Sequence, residues 1–252
     1  MSSKPSQFVW YELLSPDAAA AQAFYTQVIG WRAADAGMPG VRYTLLSVGE
    51  SAIAGLMDVP PGAHPGWFGY VWVDDVDASA QRLQAAGGKL LRPAQDIPGV
   101  GRYAAVADPH GAAFYLFRDA SGGNPTRPAP ETPGVVSWHE LYAGDGDAAF
   151  AFYSALFGWT KDRPVDMGPM GIYQLFAAGG AAIGGMMTKP PQVPAPCWQY
   201  YIQVEAIDAA VGRATAAGGQ VLMGPHEVPG GSWIVQCLDP QGVPFAMVAP
   251  AR

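Results

Sequence analysis

The stretch VWYELLSPDAAAAQAFYTQVIGW at residues 9–31 has a counterpart in VSWHELYAGDGDAAFAFYSALFGW at 136–159. Trp10 falls on Trp138 and Glu12 on Glu140 at a constant spacing of 128 residues (138 − 10). The segments AAGGKLLRPAQDIPGVG and DPHGAAF recur in the same order as AAGGQVLMGPHEVPGGS and DPQGVPF. Coincidences at a near-constant spacing indicate an internal duplication. We therefore predict one domain at 1–118, a Pro- and Gly-rich linker at 119–135 and a second domain at 136–252.

The pattern within one copy predicts an α+β fold. Residues 8–14 alternate like a strand, and Asp17 is a good N-cap for a helix that ends at Gly30. We expect a second helix from Asp77 to Gln84. The remaining predicted strands lie at 41–48, 51–59, 69–76, 89–97, 102–107 and 112–118.

Composition excludes several partners. The 252 residues carry a formal net charge of −7 and only 14% charged residues, without basic clusters, so we expect no nucleic acid and no anionic membrane as partner. Cys197 and Cys237 show no ligand spacing. The first residues, MSSKPSQF, do not resemble a signal peptide, and we expect a cytoplasmic monomer or homodimer.

Together these motifs resemble the vicinal oxygen chelate superfamily, which includes glyoxalase I, bleomycin-resistance proteins and extradiol dioxygenases. The resemblance rests on the strand–Asp–helix segment with its FY and GW pairs, on VDDVDA before a helix that ends in AAGG, and on DPxG before the last strand. It covers both copies and is similar to a two-copy bacterial, glyoxalase-like branch. It implies tandem domains, each a pair of βαβββ units that form a half-open barrel around a cavity.

The resemblance also implies a divalent metal held by His, Gln or Glu side chains in the cavity. The corresponding positions of this chain carry, in the first and second copies respectively, Trp10, Gly55, Phe68 and Tyr115, and Trp138, Gly185, Gln199 and Ala246. Zinc, iron or nickel sites need several converging His, Cys or carboxylate ligands. We therefore expect no cofactor and no metal at these positions.

Aromatic residues replace the metal ligands along the predicted cavity walls. Strand alternation and the repeat select twelve candidate ligand-binding residues: Trp10, Tyr43, Phe68, Tyr70, Arg102, Tyr115, Trp138, Tyr142, Tyr173, Gln199, Tyr201 and Trp233. Aromatic pockets with a few polar groups are typical of small-molecule sites. The second copy, with Gln199 and Ala246 where the first has Phe68 and Tyr115, should have the roomier and wetter cavity.

Glu12 and Glu140 are the candidate catalytic residues. The alternation that turns the tryptophans inward turns these carboxyl groups inward too, and a carboxyl among aromatic rings suits acid–base work. The alternative is a structural ion pair, for which Arg102 is a candidate partner in the first copy; its counterpart in the second is Trp233.

Three functions remain open from the sequence. The first is a metal-free protein that binds a small, partly aromatic molecule. The second is a glyoxalase-type or lyase/isomerase enzyme that uses Glu12 or Glu140, with a metal held by other ligands or with none. The third is a structural or interaction protein whose cavities are filled by its own side chains.

Overall fold

The two copies fold alike. The computed structural model describes residues 5–38, 40–122 and 128–252. The first copy comprises β1 (Phe8–Ser15), α1 (Ala18–Val28), β2 (Arg32–Asp35), β3 (Thr44–Val48), β4 (Ser51–Asp58), β5 (Gly66–Trp72), α2 (Val76–Ala85), β6 (Lys89–Ile97), β7 (Gly101–Ala107) and β8 (Ala113–Asp119). The second comprises β9 (Val136–Ala143), α3 (Gly146–Phe157), β10 (Thr160–Asp166), a 3-10 turn (Gly168–Met170), β11 (Ile172–Ala177), β12 (Ala182–Thr188), β13 (Cys197–Gln203), α4 (Ile207–Ala216), β14 (Gln220–Glu227), β15 (Trp233–Leu238) and β16 (Pro244–Ala249).

Each copy supplies one mixed, eight-stranded sheet. The strand orders are β2-β3-β4-β1-β5-β8-β7-β6 and β10-β11-β12-β9-β13-β16-β15-β14. In the first sheet β1 runs parallel to β4 and β5 parallel to β8, and the hairpin pairs are antiparallel. Because each parallel pair is bridged by a helix and hairpin strands, each copy contains two βαβββ units.

Two features differ from the sequence prediction. The edge strands β2 and β10 were not predicted, because they are mostly exposed and lack the alternation that marks a half-buried strand. The helix α2 is capped by Asp75, whose carboxylate accepts a hydrogen bond from the amide of Ala78 at 2.9 Å. The predicted cap Asp77 lies inside the first turn of α2 and is ion-paired instead.

The contacts of the chain divide it into two compact units, and each unit draws on both copies. Unit 1 comprises Met1–Val9, Gly69–Thr126 and His139–Gln199. Unit 2 comprises Trp10–Phe68, Arg127–Trp138 and Tyr200–Arg252. The first half of one copy therefore packs with the second half of the other.

A buried chain of hydrogen bonds ties the two copies together within unit 2. The indole of Trp67 donates to the hydroxyl of Tyr25 at 3.1 Å, and that hydroxyl donates to the carboxylate of Asp239 at 3.3 Å. The other carboxylate oxygen of Asp239 accepts backbone N–H groups from its own DPQG turn. Burial and the charge of Asp239 raise the pKa of Tyr25 well above its ordinary value, so the phenol keeps the proton that it donates.

Unit 1 contains the same chain with the copies exchanged. The indole of Trp198 donates to Tyr153 at 3.1 Å, and Tyr153 donates to Asp108 at 3.3 Å. The amides of the DPHG turn again donate to the second carboxylate oxygen of Asp108. The FY and DPxG motifs therefore recur because the helix of each copy binds the turn of the other.

The tryptophan of each GW motif makes a second link of this kind. In unit 1 the indole of Trp159 donates to the carbonyl oxygen of Ser6 at 2.6 Å. In unit 2 the indole of Trp31 donates to the carbonyl oxygen of Gly134 at 2.8 Å. Gly134, at the end of the predicted linker, thus accepts in unit 2 the hydrogen bond that Ser6, before β1, accepts in unit 1.

The rest of the predicted linker is only partly described. Residues 123–127 lie outside the described residues, and Val135 is buried. In the described part of the chain, no helix combines the length and apolar character needed to cross a membrane.

We predict that Tyr25→Phe or Tyr153→Phe lowers the free energy of unfolding by about 1–3 kcal/mol, because the indole N–H and one oxygen of the buried carboxylate each lose a partner. Urea unfolding measures the loss, and Tyr103→Phe is the matched control. Tyr103 donates to Gln95 at the surface, where water can replace the bond, so its loss should stay within about 0.5 kcal/mol. An equal loss in all three variants would contradict this role for the buried chain.

Candidate functional site

The first acidic half-site lies in unit 2 and comprises Trp10, Glu12, Tyr43 and Gly55; we call it the Glu12 half-site. Glu12 lies beside Gly55 in the parallel pairing of β1 with β4 and is 6% exposed. The phenol of Tyr43 lies over Gly55, since a Cβ on this glycine would come within 1.8 Å of the phenol oxygen. The indole of Trp10 donates to that oxygen at 3.0 Å. The structure therefore brings together Trp10, predicted from strand alternation, and Tyr43, predicted from the repeat, beside the strand position of Glu12.

The second acidic half-site lies in unit 1 and comprises Glu140, Tyr173, Gly185 and Cys197; we call it the Glu140 half-site. Glu140 pairs with Gly185 across β9 and β12 and is 9% exposed. A Cβ on Gly185 would lie 2.2 Å from the ring of Tyr173, so the arrangement of carboxylate, glycine and tyrosine repeats that of the first copy. Cys197 is close enough for the charge of Glu140 to affect its thiol.

Tyrosines cluster in the second βαβββ unit of the first copy, within unit 1. The rings of Tyr70 and Tyr115 stack with centroids 4.4 Å apart and an angle of 11° between their planes. Tyr103 packs against Tyr115 at 5.9 Å and against Tyr70 at 6.5 Å. The three tyrosine rings therefore pack against one another.

The corresponding part of the second copy, within unit 2, is more polar. The amide of Gln236 donates to the hydroxyl of Tyr201 at 2.7 Å, and Tyr201 lies beside Ala246 in the register of β13 and β16. Ala246 removes the ring that Tyr115 supplies in the first copy. The prediction that the second copy has the roomier cavity stays a prediction.

Arg102 and Trp233 were assigned to the wrong face of their strands. The guanidinium of Arg102 donates to Asp77 at 2.7 Å and to Asp96 at 2.9 Å, so it is committed to carboxylates other than Glu12. Its neighbour Tyr103 takes the face with Tyr70 and Tyr115, and successive strand residues point to opposite faces. The alternative of an ion pair between Arg102 and Glu12 is therefore wrong.

In the second copy, Trp233 likewise lies on the face of its strand opposite to the predicted one. The guanidinium of Arg252 lies over its ring at 4.9 Å and pairs with Asp208 at 3.1 Å. Asp208 corresponds to Asp77 in the repeat (208 − 77 = 131), so Arg252 replaces Arg102 as the partner of this helix.

A role in ligand binding stays a prediction for the other candidate residues. Phe68, Trp138, Tyr142 and Gln199 are half-buried, on β5, β9, β9 and β13. The sequence prediction missed Tyr103, Gln236 and Cys197. Correct alternation along β7 and β15 would have selected Tyr103 and Gln236, whereas no pattern in the sequence placed Cys197 near Glu140.

Two surface clefts lie apart from the acidic half-sites. One of about 500 Å³ in unit 1 is lined by residues that include Arg102, Arg118 and Ser121. The other, of about 270 Å³ in unit 2, is lined by residues that include Gln22, Asp35 and Arg42. Arg102 alone among the predicted site residues contributes to either.

The model of the glyoxalase/bleomycin resistance protein/dioxygenase superfamily matches residues 7–116 and 135–247, nearly all of both copies. The chain belongs to this superfamily. Each matched segment contains the two βαβββ units of one copy. The predicted fold, tandem domains of the vicinal oxygen chelate type, is thereby confirmed.

Curated relatives match over nearly the full length of both chains. A protein of Mycobacterium bovis named putative glyoxylase CFP32 is 36% identical, over 96% of this chain and 94% of its own. Anthracycline biosynthesis protein DnrV of Streptomyces peucetius is 34% identical, over 97% of this chain and 93% of its own.

Solved superfamily structures match at the level of the fold. A Mn(II)-bound glyoxalase from Novosphingobium aromaticivorans matches with a TM-score of 0.67 and 18% identity, over 98% of this chain and 82% of that one. The 2,2',3-trihydroxybiphenyl 1,2-dioxygenase of Sphingomonas wittichii matches with a TM-score of 0.69 and 15% identity, over 98% and 91%.

The residues Trp10, Gly55 and Gly185, at three of the family's metal positions, do not fit a divalent metal. Trp10 and Tyr43 share a hydrogen bond at the first position, and the tyrosine rings cover the glycines Gly55 and Gly185. Within residues 5–38, 40–122 and 128–252, no group of three or more His, Cys, Asp or Glu side chains is arranged to hold a metal ion.

The thiol of Cys197 offers a chemical readout of the charge on Glu140. Burial raises the pKa of Cys197 to about 11, and the negative charge of Glu140 also raises it, whereas Lys189 lowers it. At pH 8 only about a thousandth of this thiol is therefore the reactive thiolate. We predict that Glu140→Gln speeds alkylation of Cys197 by iodoacetamide by about threefold to tenfold, because the like charge is gone.

The rate is followed by mass spectrometry in a Cys237→Ala background, since Cys237 is the other cysteine. Glu227→Gln, which removes an exposed carboxylate, should leave the rate unchanged. Equal rates for Glu140→Gln and its parent would show that Glu140 carries no charge near Cys197.

Proposed function

We propose that the protein binds a small, partly aromatic organic molecule at its acidic half-sites, without a divalent metal. The observation that carries the proposal is the repeated pairing of a buried carboxylate with a tyrosine ring over a glycine. Burying a carboxylate costs free energy, and each copy keeps one at the same strand position beside a tyrosine. A few polar groups among aromatic walls are typical of small-molecule sites.

The names of two relatives support a small-molecule role. CFP32 is named a putative glyoxylase, and DnrV is named for anthracycline biosynthesis. Both align with nearly the whole of this chain, so they share its two-copy architecture. We therefore include an anthracycline among the aromatic compounds to be tested.

The test is a ligand screen by thermal unfolding and tryptophan fluorescence with phenols, quinones, aromatic amines and an anthracycline. A ligand at 100 times its Kd should stabilise the fold by about 2.7 kcal/mol, which raises Tm by several degrees. The shift should persist in EDTA. Glu140→Gln or Glu12→Gln should weaken binding, whereas Glu227→Gln should not. No shift with any compound would reject the proposal and favour the structural alternative.

A second candidate function is cofactor-free acid–base catalysis by the same carboxylates. It is favoured by the burial of Glu12 and Glu140, which are 6% and 9% exposed, because a carboxylate withdrawn from water is suited to proton transfer from carbon.

A test of this function uses hydroxyacetone in D2O, with exchange of its C–H protons followed by NMR. If either carboxylate is the base, the protein accelerates exchange and Glu12→Gln or Glu140→Gln removes about two orders of magnitude of that rate. The EDTA-treated protein should be equally active. Exchange at the buffer rate would leave binding as the surviving function.

A further inference from the structure

The two acidic half-sites share their carboxylate, tyrosine and glycine but differ in the residue that follows β4 or β12. The residue after β12 is Lys189, whose amide donates to the carbonyl of Ala143 at the end of β9. The residue after β4 is Val59, whose amide donates to the carbonyl of Ser15 at the end of β1. Lys189 and Val59 therefore occupy equivalent places, and only the second copy has a cation there.

The ammonium of Lys189 donates to the carbonyl oxygen of Val193 at 2.8 Å. Its charge lowers the pKa of the Cys197 thiol, which the carboxylate of Glu140 raises. The residue equivalent to Cys197 in the first copy is Gly66, at the spacing of 131 that relates the two segments (197 − 66). The Glu12 half-site thus has a valine and a glycine where the Glu140 half-site has a lysine and a thiol.

The aromatic groups of the Glu12 half-site suit a positive charge. The indole of Trp10 is tied to the phenol oxygen of Tyr43 at 3.0 Å, which fixes both rings relative to one another. Trp and Tyr faces attract ammonium groups, and Trp does so most strongly. A buried carboxylate beside such rings adds an opposite charge in a medium of low polarity, where the attraction is stronger than in water.

We propose that the Glu12 half-site is selective for cations and takes the ammonium group of an aromatic amine. The inference rests on the proposed function and names the ligand class of one of its two half-sites. The Glu140 half-site, where Lys189 adds a positive charge near Cys197, should lack this preference. The overall charge of −7 would favour the approach of such a ligand.

The test compares phenethylammonium, 2-phenylethanol and 3-phenylpropanoate by calorimetry at pH 7. These probes differ mainly in the charge of the group at the end of the chain. We expect the ammonium to bind about tenfold more tightly than the alcohol, and the carboxylate to bind least. In Glu12→Gln the ratio of ammonium to alcohol affinity should fall close to one.

Val59→Lys is a second variant that keeps Glu12 and places at the first copy the cation that the second copy has. It should lower the same ratio severalfold and remains informative if Glu12→Gln does not fold. The control Glu50→Gln removes a carboxylate from an exposed turn and should leave the ratio unchanged, which separates the half-site from general surface attraction.

Equal binding of ammonium and alcohol would overturn the inference and leave the proposed function intact. An ammonium preference that survives in both Glu12→Gln and Val59→Lys would also overturn it, because the cation would then bind elsewhere. Binding of none of the three probes, together with a negative ligand screen, would reject the proposed function itself.

Discussion

The hydrogen-bonded chain from tryptophan through tyrosine to aspartate is the interaction on which both compact units depend. It joins the first helix of one copy to the DPxG turn of the other, and it occurs twice, through Tyr25 and Tyr153. Both hydroxyls are fully withdrawn from water, so each must donate and accept within the protein. The duplication therefore has a structural consequence: each copy supplies half of the polar core of each unit.

A glycine on a parallel strand has the corresponding importance for the candidate site. Gly55 and Gly185 leave room for the rings of Tyr43 and Tyr173 at positions where the family resemblance implies a metal ligand. A side chain at either glycine would displace the ring. The chemistry offered at these strands is thus that of aromatic rings and a carboxylate, which is why binding of an organic molecule is the function that the geometry supports best.

The two copies keep this arrangement while their surroundings diverge. The tyrosine stack of Tyr70 and Tyr115 has been replaced by the hydrogen bond between Gln236 and Tyr201, and a lysine follows β12 where a valine follows β4. Motifs that hold the units together recur in both copies because the packing needs them twice. Residues beside the carboxylates are free of that constraint, so the copies can differ in the ligand chemistry that they offer.

The sequence by itself determined the duplication, the family and most strands and helices, because repeat spacing and hydrophobic alternation are local signals. It misplaced Arg102 and Trp233 and missed Tyr103, since an error of one residue in strand parity reverses the face of every side chain. Only the tertiary structure decided that each unit mixes halves of both copies and that Cys197 lies near Glu140. These depend on contacts between residues far apart in the chain, which no local pattern encodes.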